Sequence, residues 1–447
     1  MKSELPKCLH KVAGMPMVFR ILRTLHCLPI KLDIAVLVGF GKDQIVKAYE
    51  ESKGELGLPA VTFIDQSHQG GTGHAVTTAI SHPWGAVSQP VENDTILVLP
   101  GDQPLVSAHV LTQMLRPLSP RQHYRALTAL VPEPKGYGRV VRKRVGSQLQ
   151  LARVVEEKDA TIAERKIKEV VFSTYLFKFG FLKLTLPLLS PKNAQNELYL
   201  TDVLEIGFKS KKFGDTLTID DPSELRGVND PYELAQAQAI ARAAKVEALA
   251  RAGVYFEDLA NVSIDDQVTV EPGARIGVGV VLSGSTKVYK NAHLKAYTVC
   301  MDSTIEEGAQ VGPSAHLRPG SLVGRNAKIG NFVELKKTHI GENTSVAHLS
   351  YLGDATVGKN VNIGCGFVTC NYDGRVRNGK KKHETVIEDD AFIGSASQVV
   401  APITIGRGAY IASGSTITKD VPAGDLAIAR SKQENKQGYA LRLRPKS

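Results

Sequence analysis

From Ile264 to Ile417 an aliphatic residue recurs at six-residue intervals, and this period narrows the possible folds more than any other property of the chain. The series opens with Ile264, Val270, Ile276, Leu282, Val288 and Leu294. A five-residue step leads to Val299, after which the period resumes through Ile305, Val311, Leu317, Val323 and Ile329. It returns as Ile340, Val346, Leu352, then Val357 and Ile363, and closes with Ile387, Ile393, Val399, Ile405, Ile411 and Ile417. A helix repeats every 3.6 residues and a strand every 2, so neither generates a sustained period of six. A hexapeptide coil does, because each short strand ends in a tight turn and delivers one aliphatic side chain to a central stack. Three such sides close a triangular prism. Gly follows the aliphatic at ten positions, Ile276, Ile329 and Ile363 among them, as suits corners where a Cβ would crowd the next coil. The region from roughly Val262 to Ile417 is therefore expected to form a left-handed parallel β-helix.

Such a coil is not in itself a function, since similar coils also serve as inert trimerisation or regulatory modules. The polar residues that interrupt the repeat have to discriminate. They are densest between Asn331 and Gly374, where Lys336, His348, Tyr351, Asn362, Asn371 and Tyr372 fall inside otherwise regular coils. Any one of them is more readily a surface residue. Six together, followed by the non-repeating basic loop Arg375–Lys382, point to a binding site.

The rest of the chain has a different texture. Up to about Pro231, short β-rich runs alternate with helical ones. Ile34–Gly39, Thr95–Leu99, Arg125–Val131 and Val170–Phe177 read as buried strands, and Asp43–Ser52 and Gly73–Ile80 as helices. That alternation indicates an α/β domain, Rossmann-like, with a mostly parallel sheet. An alanine-rich stretch without internal Pro or Gly then runs to a terminal Gly253, the signature of a helix with a C-cap. The expected organisation is an α/β domain over 1–231, a helical linker over 232–252 and the β-helix with a basic tail over 253–447.

Composition excludes some classes. No apolar run is long enough for a membrane span, and MKSELPKCLH lacks the apolar core of a secretory signal. The five cysteines are scattered without a CxxC pair, which argues against a disulfide framework or structural zinc and for a reducing cytoplasm. The net charge of +10 concentrates in Arg375–Lys382, with five basic residues, and in the tail from Arg430, with six. A basic footprint alone is weak evidence for nucleic acid. It fits equally a solvated loop with a frayed tail, or attraction of phosphorylated ligands such as coenzyme A, nucleotides or sugar phosphates.

Several segments carry a specific likeness. AHLSYLGD, NIGCGFVTCNYDG and LRPG in the coil, with ELPKCLH, QGGTGHA, GDQPL, GYGR, VVEEKDA, NELYLTD and GVND before it, occur in order over nearly the whole chain. In these motifs the chain resembles the bacterial bifunctional N-acetylglucosamine-1-phosphate uridyltransferase/glucosamine-1-phosphate acetyltransferases. The resemblance implies a homotrimeric enzyme that supplies UDP-N-acetylglucosamine for peptidoglycan and lipid A, with its acetyl-transfer site shared between neighbouring subunits. It casts His348 as the general base that takes a proton from the glucosamine 2-ammonium, a role suited to imidazole at neutral pH. Arg318 and Lys336 would hold the sugar phosphate, and Tyr351 and Asn362 the sugar. Cys365, Asn371, Tyr372, Ser395, Ser413 and Arg430 would meet acetyl-CoA, with Cys365 as a small packed residue where the family usually has Ala. For the α/β domain it implies UTP as co-substrate, Lys7 on phosphate, and Gln66, Gly71 and Thr72 on uracil. Gly101, Gly138, Glu156 and Ser173 would line the nucleotide and sugar site, and Asp102 with Asn229 would hold Mg²⁺, in keeping with phosphoryl-transfer chemistry.

Three departures bear on the uridyltransferase half. The family opens with a strand and a glycine-rich phosphate loop, L-A-A-G-x-G-T-R-M, ahead of the lysine matching Lys7, whereas here Met1 stands six residues before that lysine. Ser173 replaces a family Asn, and Pro100 precedes Gly101–Asp102. Either the reading frame starts further upstream, or only acetyl transfer survives beside a degenerate domain; the 447 residues as they stand are expected to release little or no pyrophosphate from UTP. Two further readings are a non-catalytic coil assembly, and an NTP–sugar-phosphate enzyme of other specificity. The second of these would not be expected to carry His348, Tyr351 and the Asn371–Tyr372 pair together.

Overall fold

The computed structural model describes residues 3–68, 70–82, 90–376, 379 and 381–443. Gln69 of QGGTGHA, Arg377 and Lys380 of the basic loop, and Arg444 and Lys446 of the tail lie outside the described residues. The chain divides into two compact units, 1–241 and 242–447.

In the first unit every strand and helix named from the sequence is present. The strands are Ala35–Val38, Thr95–Val98, Tyr124–Leu130 and Glu169–Lys178, and the helices Lys42–Leu56 and Thr72–Ser81. The expectation of a mostly parallel sheet does not hold for the described residues. In the main sheet only Asp215–Ile219 runs parallel to its neighbour, Tyr124–Leu130. Glu169–Lys178 pairs antiparallel with Thr95–Val98, with Tyr124–Leu130 and with Gly138–Val145. One further antiparallel pair has a local cause: Gly138–Val145 and Gln148–Val155 form a hairpin whose two-residue turn places Gly146 at φ +61. A turn this tight permits only antiparallel return. The hairpin strand GRVVRKRV is too polar to read as a buried strand in the sequence.

Two of the strands read as buried are only half-buried, apart from Val38 and an exposed Thr95. Ala35–Val38 pairs with Thr62–Asp65 in a separate two-stranded parallel sheet. Among the described residues Thr95–Val98 pairs only with Glu169–Lys178. A cavity of about 980 Å³ lies against both strands along their full length. It extends to Thr72, Gly101, Glu156 and Ser173.

The second unit is the expected prism. Its short strands stack in parallel in perfect register, as in Val346 over Ile363, Ile393 and Ile411. The hexad aliphatics are buried, with one correction: at the five-residue step the inward residue is Cys300, fully buried, and Val299 is half-exposed. The irregular step therefore falls between Cys300 and Ile305. Leu335 and Thr369 also point inward, filling positions that the hexad series passes over. Each aliphatic side chain so enclosed contributes roughly 1.5–3 kcal/mol. The corner glycines act as anticipated: a Cβ on Gly330 would collide with the Ala347 carbonyl one coil on. Buried hydroxyls tie turns to the next coil, Thr344 donating to the Gly358 carbonyl at 2.7 Å and Thr338 to that of Leu352 at 2.9 Å.

The alanine-rich helix spans Pro231–Arg251. Beyond it Gly253 adopts φ +102 and the Val254 amide donates back to the Leu249 carbonyl at 3.1 Å, closing the last turn.

Candidate functional site

The polar residues of the prism fall into two clusters. The first is a column on one corner. Asn331 lies in register with His348 on adjacent strands. Two residues beyond the Val346–Ile363–Ile393–Ile411 stack come His348, Cys365, Ser395 and Ser413, one per coil. Backbone bonds follow the same line, Ala396 to the Cys365 carbonyl and Gly414 to the Ser395 carbonyl. Arg430 closes the column by donating to the Ser413 carbonyl at 2.8 Å. With coils one strand spacing apart, His348 and Ser413 stand roughly 14 Å from each other along the prism axis.

At the head of this column His348 Nδ1 lies 2.6 Å from Asn331 Oδ1. An amide oxygen can only accept, so Nδ1 carries the proton and Nε2 presents the lone pair. The orientation suits a general base. Asn331 was not singled out in the sequence, where an Asn beside a turn is unremarkable; its register with His348 is the signal.

The second cluster lies on the following side. Arg318 Nη1 bonds Glu334 Oε1 at 2.9 Å, and Glu334 is in register with Tyr351. Lys336 is in register with Gly353, where an added Cβ would strike both the Tyr351 hydroxyl and the Asn371 amide. Lys336, Tyr351 and Asn371 thus surround one glycine. Asn371 is buried and donates to Asp354 Oδ2 at 2.7 Å, while the exposed Tyr372 ring receives the Lys382 ammonium 4.2 Å from its centroid. Glu334 and Asp354 were also missed in the sequence, where Lys382 was singled out only as part of the basic loop Arg375–Lys382. Among the described residues no hydrogen bond joins the two clusters. Asn362 belongs to neither: it is exposed on a flat face, in register with Ser345 and Phe392.

In the first unit the structure brings together residues far apart in sequence. Lys7 Nζ lies 2.5 Å from Asp102 Oδ2 and 2.7 Å from Asn229 Oδ1. Asp102 follows the strand Thr95–Val98 and its carbonyl accepts from the Val228 amide, which draws the Asn229 segment alongside. Thr72, Gly101, Glu156 and Ser173 line the large cavity. The Glu156 carboxyl accepts from Thr201 at 3.0 Å, and burial pushes its pKa up, with Asp202 and Asp159 adding to the effect. Gly138 packs against Val154 beside that carboxyl, where a side chain would not fit. Gly71 holds φ +97 at the start of the Thr72–Ser81 helix, pressed against Glu197 and Leu198, and Thr72 Oγ1 accepts from the Leu200 amide. Gln66 is held by the His74 ring at 3.2 Å and does not line the cavity. Ser173 sits at φ +51 in a bulge, a conformation Asn adopts more readily than Ser.

Among the described residues no cluster of three or more His, Cys, Asp or Glu could cage a metal. Asp102 and Asn229 nevertheless present two oxygens that converge on a positive charge. That suits Mg²⁺, which takes few protein ligands and completes its shell with water and substrate phosphates. Among the described residues no helix is long and apolar enough to cross a membrane.

Comparison with known proteins agrees with both units. Residues 1–168 match the MobA-like NTP transferase domain family, and residues 302–337 and 384–419 match the bacterial transferase hexapeptide family. The chain is 42% identical over 456 residues to the bifunctional protein GlmU of Carboxydothermus hydrogenoformans, covering 98% of this chain and 97% of that protein. It is 39% identical to the GlmU of Geotalea uraniireducens, covering 99% of this chain and 96% of the relative. To that of Brevibacillus brevis it is 40% identical, with 99% and 95% covered. A likeness of this level along the entire length, on top of the nucleotidyltransferase-type unit and the hexapeptide prism, places the chain in the GlmU family of bifunctional enzymes.

Proposed function

We propose that this chain makes UDP-N-acetylglucosamine in two steps, acetylating glucosamine-1-phosphate with acetyl-CoA in the prism and then transferring uridylyl from UTP in the α/β domain. Residues 1–231 form the nucleotidyltransferase domain, 232–252 the linker and 253–447 the acetyltransferase domain of a cytoplasmic homotrimer. The observation that carries the reading is the corner column headed by His348. Its Nε2 takes a proton from the sugar 2-ammonium, and the freed amine attacks the thioester carbonyl. The tetrahedral adduct collapses as the nitrogen gives up its second proton and the coenzyme A thiolate leaves, taking that proton to depart as the thiol. Cys365, Ser395, Ser413 and Arg430 run down the same corner, a track suited to the long pantetheine arm. Arg318 and Lys336 meet the sugar phosphate, with Tyr351 and Asn362 on the sugar and Asn371 and Tyr372 on the coenzyme. Because the two clusters lie on successive sides without a direct link, the reading places the column of one subunit opposite the second cluster of its neighbour.

In the α/β domain a phosphate oxygen of N-acetylglucosamine-1-phosphate attacks the α-phosphate of UTP and pyrophosphate leaves. Asp102 and Asn229 would hold Mg²⁺, which supplies neutralisation of phosphate charge, and Lys7 meets the phosphates. Gln66, Gly71 and Thr72 position uracil, while Gly101, Gly138, Glu156 and Ser173 border the sugar and nucleotide. Thiol release from acetyl-CoA, dependent on glucosamine-1-phosphate and measured for the parent and for His348→Ala, tests the acetyl half. A loss of about 10²–10⁴ is expected, and an unchanged rate would sink it.

A further inference from the structure

Lys7 occupies an unusual position for a residue that is to bind phosphate. Its ammonium lies 2.5 Å from Asp102 Oδ2 and 2.7 Å from Asn229 Oδ1, between the two oxygens assigned to the metal. The side chains come from segments 95 and 222 residues away, so the contact is a convergence of the fold and not a local pairing. A Mg²⁺ ion held by Asp102 and Asn229 would use the same two oxygens. The points at which the ammonium and the metal satisfy these ligands overlap, and two cations cannot share them. Lys is a compact point charge on a flexible stem, able to hold such a place and to leave it.

We propose that Lys7 is a tethered stand-in for the metal. Resting on the assignment of Asp102 and Asn229 as metal ligands, it keeps their oxygens converged when no metal is bound and excludes the metal until it swings away. Loading then has two coupled results. The metal enters the pair of oxygens, and the released ammonium becomes available to the phosphates. Lys7 is on this account a positioning residue whose presence weakens binding of the bare metal.

The test uses the full chain without nucleotide, with Mn²⁺ as the probe and free Mn²⁺ read by electron paramagnetic resonance. Lys7→Met is expected to bind Mn²⁺ about tenfold more tightly than the parent, the factor for a closed state populated nine-tenths of the time. Asp102→Ala, alone and combined with Lys7→Met, identifies the site. Equal or weaker Asp102-dependent binding by Lys7→Met overturns the stand-in role alone. Absence of any Asp102-dependent binding in either protein removes the metal assignment and this inference with it. Should Lys7→Met fail to fold, amine acylation of the parent, mapped by peptide mass, gives an independent reading. Labelling of Lys7 should rise with added MgCl₂, and labelling that is unchanged or lower contradicts the proposal.

Discussion

Removing the Asn331 amide tests the orientation of the base without removing the base itself. Asn331 Oδ1 is 2.6 Å from His348 Nδ1, and this is the contact that fixes which ring nitrogen carries the proton. In Asn331→Ala the ring keeps its place on the corner, since His348 is held by its own strand, Ser345–His348. What is lost is one neutral hydrogen bond, worth about 0.5–1.5 kcal/mol. If all of it is felt in the transition state, kcat for acetyl transfer falls by a factor of about 2 to 12. Removing the imidazole is expected to cost about 10²–10⁴. The two substitutions are therefore separable by magnitude. The assay is thiol release at saturating acetyl-CoA and glucosamine-1-phosphate, with KM for both substrates followed in parallel. KM should hardly move, because Asn331 meets neither substrate in this account. A fully active Asn331→Ala would refute the orienting role, and a loss as large as that of His348→Ala would mean that Asn331 does more than orient.

Other expectations concern the units themselves. Cys300 is fully buried and burial pushes its thiol up to about 12, so an aromatic disulfide reagent should label the exposed Cys27 in the native protein and spare Cys300 until unfolding. Glu156 has a raised pKa through burial, so its contribution is intact in acid and declines as pH rises through the folded value. Glu156→Gln should thus raise the melting temperature of the 1–241 unit at pH 7 and change it little at pH 4, and equal effects at both would contradict this. The half-buried strands Ala35–Val38 and Thr95–Val98 border the 980 Å³ cavity, so their amides should exchange faster than those of Tyr124–Leu130.

How much of this was legible in the sequence depends on the range of the interaction. The prism was, because one residue in six must point inward in every coil, and the series from Ile264 to Ile417 shows it directly. The slip at Val299 arose because two adjacent small apolar residues, Val299 and Cys300, both satisfy the pattern at a five-residue step. The antiparallel main sheet was hidden by a hairpin strand rich in Lys and Arg, whose polarity masks its pairing. Contacts between distant segments, such as Lys7 with Asp102 and Asn229, have no local signature. Resemblance supplied those residues, and the structure added that they meet. Asn331, Glu334 and Asp354 were missed for the same reason, since each matters only through what it touches one coil away.

The central claim is that one acetyl-transfer site is completed by two clusters belonging to different subunits. Co-expressing His348→Ala with Lys336→Ala tests it most directly, since each variant alone lacks one cluster and should be nearly inactive. If sites form across subunits, random trimers regain function at about a quarter of their sites, where an intact column faces an intact second cluster. Thiol release near that fraction of the parent rate is the result this account predicts. Mixed trimers no more active than either variant alone would contradict it.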